Sequence, residues 1–206
     1  QIRPHFLFNT LNALAVLARR GDVAAVDRAI GDLGELLRAT FDSPGRHEVT
    51  LREELEFVER YLSLQRIRFP GRLEVEWQVA DDVRAALVPT LLVQPLVENA
   101  IEHGLATTRG GHVCVRAERR GDTLELEVSD DGPGFGGGEG ARSGEGGVRS
   151  DGEGARAGVG LANTRERLAL LYGGAASLEC GAAASGGGAV RIRLPWRTAA
   201  TSGAGA

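Results

Sequence analysis

The spacing of apolar residues changes at Arg72 from a helical period to a strand period, and this change constrains the fold more than any other feature. Before Arg72, apolar residues recur at intervals of three or four positions. After it, they alternate with polar residues in five short segments, at 73–79, 113–117, 124–128, 178–180 and 190–194. Two helical stretches, at about 90–105 and 161–172, supply apolar faces that can cover one face of a sheet. The sequence therefore predicts a helical unit followed by an α+β two-layer sandwich.

The helical unit contains two amphipathic segments joined by a turn at Gly21-Asp22. Their apolar stripes consist of Leu7, Leu11, Leu14 and Ala18 in the first segment and Val23, Val26, Ile30, Leu33 and Leu37 in the second. His5, Asn9 and Asn12 lie on the opposite side of the first segment, so we predict that they face solvent. One antiparallel helical hairpin leaves its stripe half covered. We therefore expect it to pair with a second copy into a four-helix bundle.

A third helix begins at a capping box, Thr50-Leu51-Arg52-Glu53, in which the threonine and glutamate satisfy each other's backbone donors, and it ends at Pro70-Gly71. We place the helical domain at 1–70 and the sandwich at 71–197. Residues 132–158 hold twelve glycines among twenty-seven residues, which leaves too little apolar surface to order a loop by burial. We expect this segment to be a mobile loop and residues 198–206 to form a disordered tail.

The composition excludes several functions. All 24 basic residues are arginine, and the absence of lysine excludes a Walker A loop and the protein-kinase fold that places a strand lysine on the phosphates. A net charge of −4 gives no electrostatic footprint for direct binding of nucleic acid. No apolar run approaches the roughly 18 residues of a spanning helix, and no signal peptide opens the chain. The chain starts without Met inside a predicted helix, so we expect an upstream region.

Residues 94–104 form a helix with one polar side that could bind a metal. The apolar face of this helix consists of Val93, Leu96, Val97 and Ala100. Asn99 and His103 are four residues apart and are therefore neighbours on the polar side. An asparagine carbonyl oxygen is a good ligand for Mg²⁺ when phosphates provide the negative charge. The alternative is an ordinary solvated helix face.

Two further segments carry glycines next to polar groups. Asp130 follows a strand and precedes Gly132 and Gly134, so its carboxylate can lie at a pocket floor and accept a hydrogen bond from an adenine amino group. The alternative is a tight Asp-Gly turn. The second segment, from Gly158 to Asn163, leads from the glycine-rich loop into a helix. Its backbone N–H groups can bind phosphate there.

In order and spacing, these segments resemble the ATP-binding domain of the GHKL superfamily, which includes histidine kinases, gyrase, Hsp90 and MutL. Glu98-Asn99-Ala100 resembles the N box, residues 130–134 resemble the first glycine box, and residues 158–161 resemble the second. Residues 132–158 then fall where this superfamily keeps its ATP lid. The resemblance implies a Bergerat-type sandwich that binds ATP and Mg²⁺, with Asn99 as the metal ligand.

Residues 4–12 are similar to the H box of LytS-type sensor histidine kinases, and residues 49–69 resemble the continuation of the same domain. This resemblance implies that His5 is the phosphoacceptor and that the chain is a homodimer through its helical hairpin. The phosphate would pass to an aspartate of a response regulator, often one with a LytTR DNA-binding domain. It also implies the cytoplasmic domain of a bacterial sensor anchored in the inner membrane, whose sensor region lies upstream.

The resemblance also assigns roles to the remaining residues. Asp130 would bind adenine with Gly132 and Gly134, and Glu98 would orient a water molecule or contact the metal. The predicted nucleotide contacts at the second box and on the N-box helix are His103, Gly158, Gly160, Leu161 and Asn163. Asn9, one turn after His5, would orient a water for the reverse hydrolysis or be a solvated amide.

Two departures from the family pattern leave alternatives open. Phe6 follows His5, where many histidine kinases carry an acidic residue, so no general base is identified. Glu102 occupies a position where relatives commonly have a lysine that contacts phosphate. One alternative is therefore a pseudokinase that acts as a dimerisation and docking module. The other is a GHKL ATPase with water as the acceptor.

Overall fold

A computed structural model describes residues 4–41, 46–107, 111–134, 154–184 and 186–199 of the chain. The helices are α1 (Pro4–Arg19), α2 (Val23–Phe41), α3 (Leu51–Arg68), α4 (Val93–Thr107) and α5 (Gly154–Tyr172), with short 3₁₀ turns at Asp81–Ala85 and Gly173–Ala175. The strands are β1 (Glu48–Thr50), β2 (Leu73–Val79), β3 (Leu87–Pro89), β4 (Gly111–Arg120), β5 (Thr123–Asp130), β6 (Ser177–Ala182) and β7 (Gly188–Pro195). Within the described residues, no helix is both long and apolar enough to span a bilayer.

The five strands predicted from the period-two segments form one sheet in the order β2-β4-β5-β7-β6. The β2–β4 pair is parallel and the other pairs are antiparallel. Alternate residues of β4, β5 and β7 are buried, and α4 packs on all three strands while α5 packs on α4 and β6. Ion pairs between arginine and glutamate cover the outer face. The predicted helical unit followed by an α+β two-layer sandwich is confirmed.

A second, two-stranded sheet pairs β1 with β3 in antiparallel register and was not predicted, because three-residue strands carry too little periodicity. It joins the start of α3 to the segment that leads into α4. Tyr172, at the end of α5, donates a hydrogen bond of 2.5 Å to Glu48 in β1, and Arg197 forms an ion pair with the same carboxylate. Burial and this hydrogen bond raise the pKa of Tyr172 above its ordinary value. The two sheets are therefore held together by polar contacts as well as by the core.

Helix α3 begins as the sequence predicts. The Thr50 side chain accepts the Glu53 N–H, and the Glu53 carboxylate accepts the Thr50 N–H at 2.8 Å. This backbone hydrogen bond lowers the pKa of Glu53 below its usual value, although its limited burial opposes the shift. The buried residues of α3 include the polar Glu54 and Gln65 among nonpolar and aromatic neighbours: Leu51, Leu55, Phe57, Val58, Tyr61, Leu62 and Leu64.

The predicted core stripe of α1 is partly wrong. Phe6, Thr10 and Leu14 of α1 are buried, whereas Leu11 is 53% exposed and Ala18 is also exposed. Phe6 stacks on Tyr61 of α3, with ring centroids 4.9 Å apart. The error arises because α1 has apolar residues on two sides, and only its packing against α3 decides which side is covered within one chain.

The glycine-rich segment and the tail differ from expectation at their ends. Helix α5 begins at Gly154, seven residues before the predicted start at 161, although this first part contains Gly154, Gly158 and Gly160. The predicted loop at 132–158 therefore overlaps the first turns of α5, and its central part, 135–153, lies outside the described residues. Thr198, placed in the predicted tail, forms a β-bridge with Ala86. Residues 200–206 lie outside the described part of the chain.

Candidate functional site

The C-terminal part of α4 and the end of β5 meet, and this contact brings two predicted segments together. A methyl group built on Gly104 of α4 would lie 3.8 Å from the Cβ atom of Asp130 and 3.5 Å from Oδ1 of Asp131. Glu98 and Asn99, on the preceding turns of α4, are both buried. Polar side chains are buried in this way where they are hydrogen-bonded or serve a site. The N-box segment thus adjoins the first glycine segment.

Asp130 is the last residue of β5 and has a defined orientation. Its side chain is 6% exposed, and its Oδ1 accepts the Gly132 N–H at 2.9 Å. The neighbouring Asp131 is exposed, and its Oδ1 accepts the His112 N–H at 2.9 Å instead. The two consecutive aspartates therefore point to different surroundings, and only Asp130 is buried.

The turn between β6 and β7 supports Asp130, and sequence reasoning missed it. Gly187 has a φ of +85°, and a Cβ atom built on it would lie 2.0 Å from the Asp130 carbonyl oxygen. Gly134 has a φ of +74°, and a Cβ atom built on it would lie 3.0 Å from the Gly187 carbonyl oxygen. The run of three glycines at 186–188, between two strand segments, could have indicated this contact, because glycines at such a place mark a close approach of two backbones.

The second glycine segment lies inside α5 and not before it. Leu161 is buried in the core, and Asn163 is exposed. Thr164 is buried and donates its hydroxyl hydrogen to the Gly160 carbonyl at 2.9 Å. The backbone N–H groups of Gly158 and Gly160 are thus part of a helix in this structure, which differs from the predicted loop-to-helix junction.

The two histidines with predicted functional roles, His5 and His103, are described only as parts of helices. His5 lies in the first turn of α1 and His103 in α4, while the surroundings of both side chains fall outside the described residues. Asn9 is half-buried on α1, one turn after His5. Phe6 anchors this turn to α3 through the stacking on Tyr61.

A junction of α3, α4 and α5 lies behind the N-box helix and was not predicted. Glu54 of α3 accepts the N–H groups of Leu91 and Val93, at 2.5 and 3.0 Å. Arg167 of α5 donates to the carbonyl groups of Thr90 and Leu91. Burial raises the pKa of Glu54 against the effect of these N–H donors, and burial lowers the pKa of Arg167.

The donor set fits a magnesium ion that binds together with phosphates. Among the described residues, no group of three or more His, Cys, Asp or Glu side chains could hold a metal ion alone. Mg²⁺ usually keeps several waters and binds one or two protein side chains plus substrate phosphates. The buried oxygens of Asn99 and Glu98 match that requirement in number and type.

Comparison with protein families defines the class. Residues 86–198 match the model of the histidine kinase-, DNA gyrase B- and HSP90-like ATPase family, and residues 1–73 match the model described as histidine kinase. The fold and the segments that meet at Asp130 thus belong to an ATPase domain of the GHKL class, preceded by a histidine kinase domain. More particularly, the chain belongs to the family of LytS-like sensor histidine kinases, as the following relatives show.

The chain is 33% identical over 198 residues to the sensor histidine kinase YesM of Bacillus subtilis (strain 168). The matched region covers 96% of this chain and 32% of YesM. The chain is 34% identical over 188 residues to the sensor histidine kinase/phosphatase LytS of Staphylococcus aureus (strain N315), covering 90% of this chain and 32% of LytS. The chain therefore spans about a third of the length of these curated relatives.

Solved structures agree on the fold. The histidine kinase domain from the Erythrobacter litoralis EL346 blue-light-activated histidine kinase is similar with a TM-score of 0.50 and 19% identity, covering 84% of this chain and 75% of that one. Full-length ShkA in complex with AMPPNP is similar with a TM-score of 0.52 and 23% identity, covering 90% of this chain and 38% of that one. At these identities the likeness establishes the fold alone.

Proposed function

We propose that the chain is the catalytic core of a two-component sensor histidine kinase. It would use ATP and Mg²⁺ to phosphorylate His5 and then pass the phosphoryl group to an aspartate of a response regulator. One observation carries this conclusion: in an ATPase-family domain, buried Asp130 adjoins the helix that carries buried Asn99. The end of β5 and helix α4 would thus supply a carboxylate for adenine and an amide for the metal ion, respectively.

The adenine end of the nucleotide would bind at Asp130. The Gly132 N–H fixes the orientation of the carboxylate, which would accept a hydrogen bond from the adenine amino group. Gly132 and Gly134 carry no side chains, so the backbone can turn close to the adenine ring. Buried polar groups of this kind discriminate strongly, because an unmatched ligand leaves them unpaired.

The phosphate end would bind along α4 and at the second glycine segment. Asn99, with Glu98 beside it, would hold Mg²⁺, which supplies neutralisation of phosphate charge when bound. His103 and Asn163 would contact the nucleotide, together with the backbone of Gly158, Gly160 and Leu161. Since Gly158 and Gly160 lie within α5 here, their N–H groups would reach phosphate only if α5 begins later in the nucleotide complex.

His5 would act as the nucleophile. A neutral imidazole has one unprotonated ring nitrogen, whose lone pair forms the bond to the γ-phosphorus while the bond from phosphorus to the bridging oxygen breaks. ADP leaves with the electrons of that bond, and the proton on the imidazolium passes to solvent. Asn9 would orient a water molecule for the reverse hydrolysis.

Radiolabelled ATP tests this function. Incubation with γ-labelled ATP and Mg²⁺ should give a label that is labile to acid, stable to base and lost in His5→Ala. His112→Ala, which changes a half-buried histidine of β4, is the matched control and should keep the label. Unchanged labelling in His5→Ala contradicts the proposal, and phosphate release without label would instead identify an ATPase with water as acceptor.

The pseudokinase alternative rests partly on Glu102, which is exposed on α4. Solvent screens a charge at such a position, so its effect on phosphate binding is small. The absence of both label and phosphate release in the same experiment would support the pseudokinase alternative.

We also propose that the hairpin forms the homodimer. Large apolar side chains of both α1 and α2 remain exposed in the single chain, namely Phe8 (67%), Leu11 (53%), Val23 (69%) and Ile30 (55%). Exposed apolar side chains on two packed helices are what a four-helix bundle would cover with a second hairpin. By the resemblance to LytS-type kinases, we also propose a response regulator with a LytTR domain as the partner, and control by a membrane-anchored sensor region.

A charged residue on this surface should dissociate the dimer. We expect Ile30→Glu to raise the dimer dissociation constant by a factor on the order of a hundred, because a carboxylate would be buried without a partner. Leu170→Glu is the matched control, because Leu170 is more exposed but lies on α5. Sedimentation equilibrium measures both constants, and an equal effect of the two substitutions would contradict the proposed interface.

A further inference from the structure

Leu91, two residues before α4, has a backbone conformation that only glycine adopts readily. Its φ is 56°, and it is the one non-glycine residue with positive φ in the part of the chain that the structure describes. For a leucine this conformation is sterically unfavourable, and such residues persist only where the surroundings over-determine them.

Charged side chains from two other helices hold both polar groups of the Leu91 backbone. Glu54 of α3 accepts the Leu91 N–H, and Arg167 of α5 donates to the Leu91 carbonyl at 3.1 Å. The same two side chains also bind the flanking residues, since Glu54 accepts the Val93 N–H and Arg167 donates to the Thr90 carbonyl at 2.7 Å. The chain turn before α4 is thus fixed from both sides.

The Glu54 side chain is placed to define where α4 begins. It is 2% exposed, and Val93 is the first residue of α4, so the carboxylate lies at the positive end of the helix dipole. Burying a carboxylate is unfavourable unless hydrogen bonds compensate. Apolar side chains could fill this space equally well. Only a hydrogen-bonding pair such as a carboxylate and a guanidinium, however, can fix the directions of the backbone N–H and carbonyl groups.

We propose that Glu54 and Arg167 are positioning residues for the nucleotide site. By holding Leu91 in the left-handed conformation they set the start of α4, and hence the position of Glu98 and Asn99, which the proposed function places on Mg²⁺ and phosphate. This inference rests on that proposed function. Because α3 also carries Tyr61, which stacks on Phe6 beside His5, one helix contacts both the phosphoacceptor turn and the N-box helix.

Rescue by glycine tests the proposal. In Glu54→Gln, the glutamine side chain has one acceptor oxygen, and its NH₂ group would face one of the two backbone N–H groups that Glu54 binds. The left-handed turn at Leu91 therefore loses a hydrogen bond. We expect the affinity for Mg²⁺·ATP, measured by isothermal titration, to fall about tenfold. Adding Leu91→Gly should restore most of that loss, since glycine adopts positive φ without strain. Adding Leu91→Ala removes the same side chain but keeps the strain, so it should restore nothing.

Controls separate this inference from the proposed function. Glu56→Gln changes an exposed glutamate of α3 and should bind ATP as the unaltered chain does. If the unaltered chain binds no ATP, the proposed function fails, whereas ATP binding unaffected by Glu54→Gln overturns only the positioning role. Equal rescue by Leu91→Gly and Leu91→Ala, or rescue by neither, also overturns it. If Glu54→Gln does not fold, Arg167→Lys takes its place, because lysine loses the two-pronged contact with the carbonyl groups. Arg167→Lys is then combined with Leu91→Gly and with Leu91→Ala in the same way.

Discussion

Asp130→Asn should lower the affinity for Mg²⁺·ATP about a hundredfold, whereas Asp131→Asn should change it less than about twofold. The carboxylate of Asp130 would serve two donors, the Gly132 N–H and the adenine amino group. Asparagine has the same shape but only one acceptor oxygen, so one buried donor is left without a partner. A hydrogen bond to a charged group contributes about 1.5–3 kcal/mol, and a hundredfold loss corresponds to about 2.7 kcal/mol, in the upper part of this range because the group is buried.

The neighbouring aspartate makes this experiment specific. Asp131 is exposed, and its carboxylate accepts the His112 N–H on the strand surface. The two variants have the same change in charge and lie next to each other, so a general electrostatic effect would appear in both. Isothermal titration with ATP measures the two affinities. Equal losses, or no loss in Asp130→Asn, would remove Asp130 from the adenine site.

Gly187→Ala should reduce the free energy of unfolding by about 3 kcal/mol and should also weaken ATP binding. The added methyl carbon would lie 2.0 Å from the Asp130 carbonyl oxygen and 3.0 Å from the Asp131 carbonyl carbon. These are backbone atoms that cannot rotate away, so either the β6–β7 turn or the end of β5 must shift. A shift of β5 moves the Asp130 carboxylate directly.

Gly186→Ala is the matched control for this steric effect. Gly186 has a φ of +87°, close to the +85° of Gly187, but a Cβ atom on it meets nothing within 4 Å. It should therefore lose only about 1 kcal/mol, from the backbone conformation alone. Denaturant unfolding and ATP titration compare the two variants. A loss in Gly186→Ala as large as that in Gly187→Ala would show that the contact with Asp130 is unimportant.

Local patterns allowed much of the fold to be predicted. The five strands of the main sheet follow from period-two alternation, because each strand has one buried and one solvated face. The start of α3 follows from the capping box, since its hydrogen bonds involve only Thr50 and Glu53. The segments around Asn99 and Asp130 were also recognisable, because their residue types and order are specific.

Features that depend on distant contacts could not be predicted. Glu54 lies 37 residues from the Leu91 N–H that it binds, so its burial is invisible in the helical pattern of α3. The support of Asp130 by Gly187 likewise joins separate strands. In α1, apolar residues on two sides made the buried side ambiguous until the packing of Phe6 on Tyr61 was known.

The place of β5 in the sheet has a consequence for how the parts of the molecule move. In the order β2-β4-β5-β7-β6, β5 is paired on both sides, so its amide hydrogens are among the last to exchange with solvent when the domain opens locally. Asp130 ends this strand, while the hairpin of α1 and α2 lies outside the sandwich. The Asp130 carboxylate, which we propose binds adenine, is thus expected to stand at the end of one of the most slowly opening strands. Helix α1, which carries His5, lies outside this sheet and packs on α2 and α3 instead.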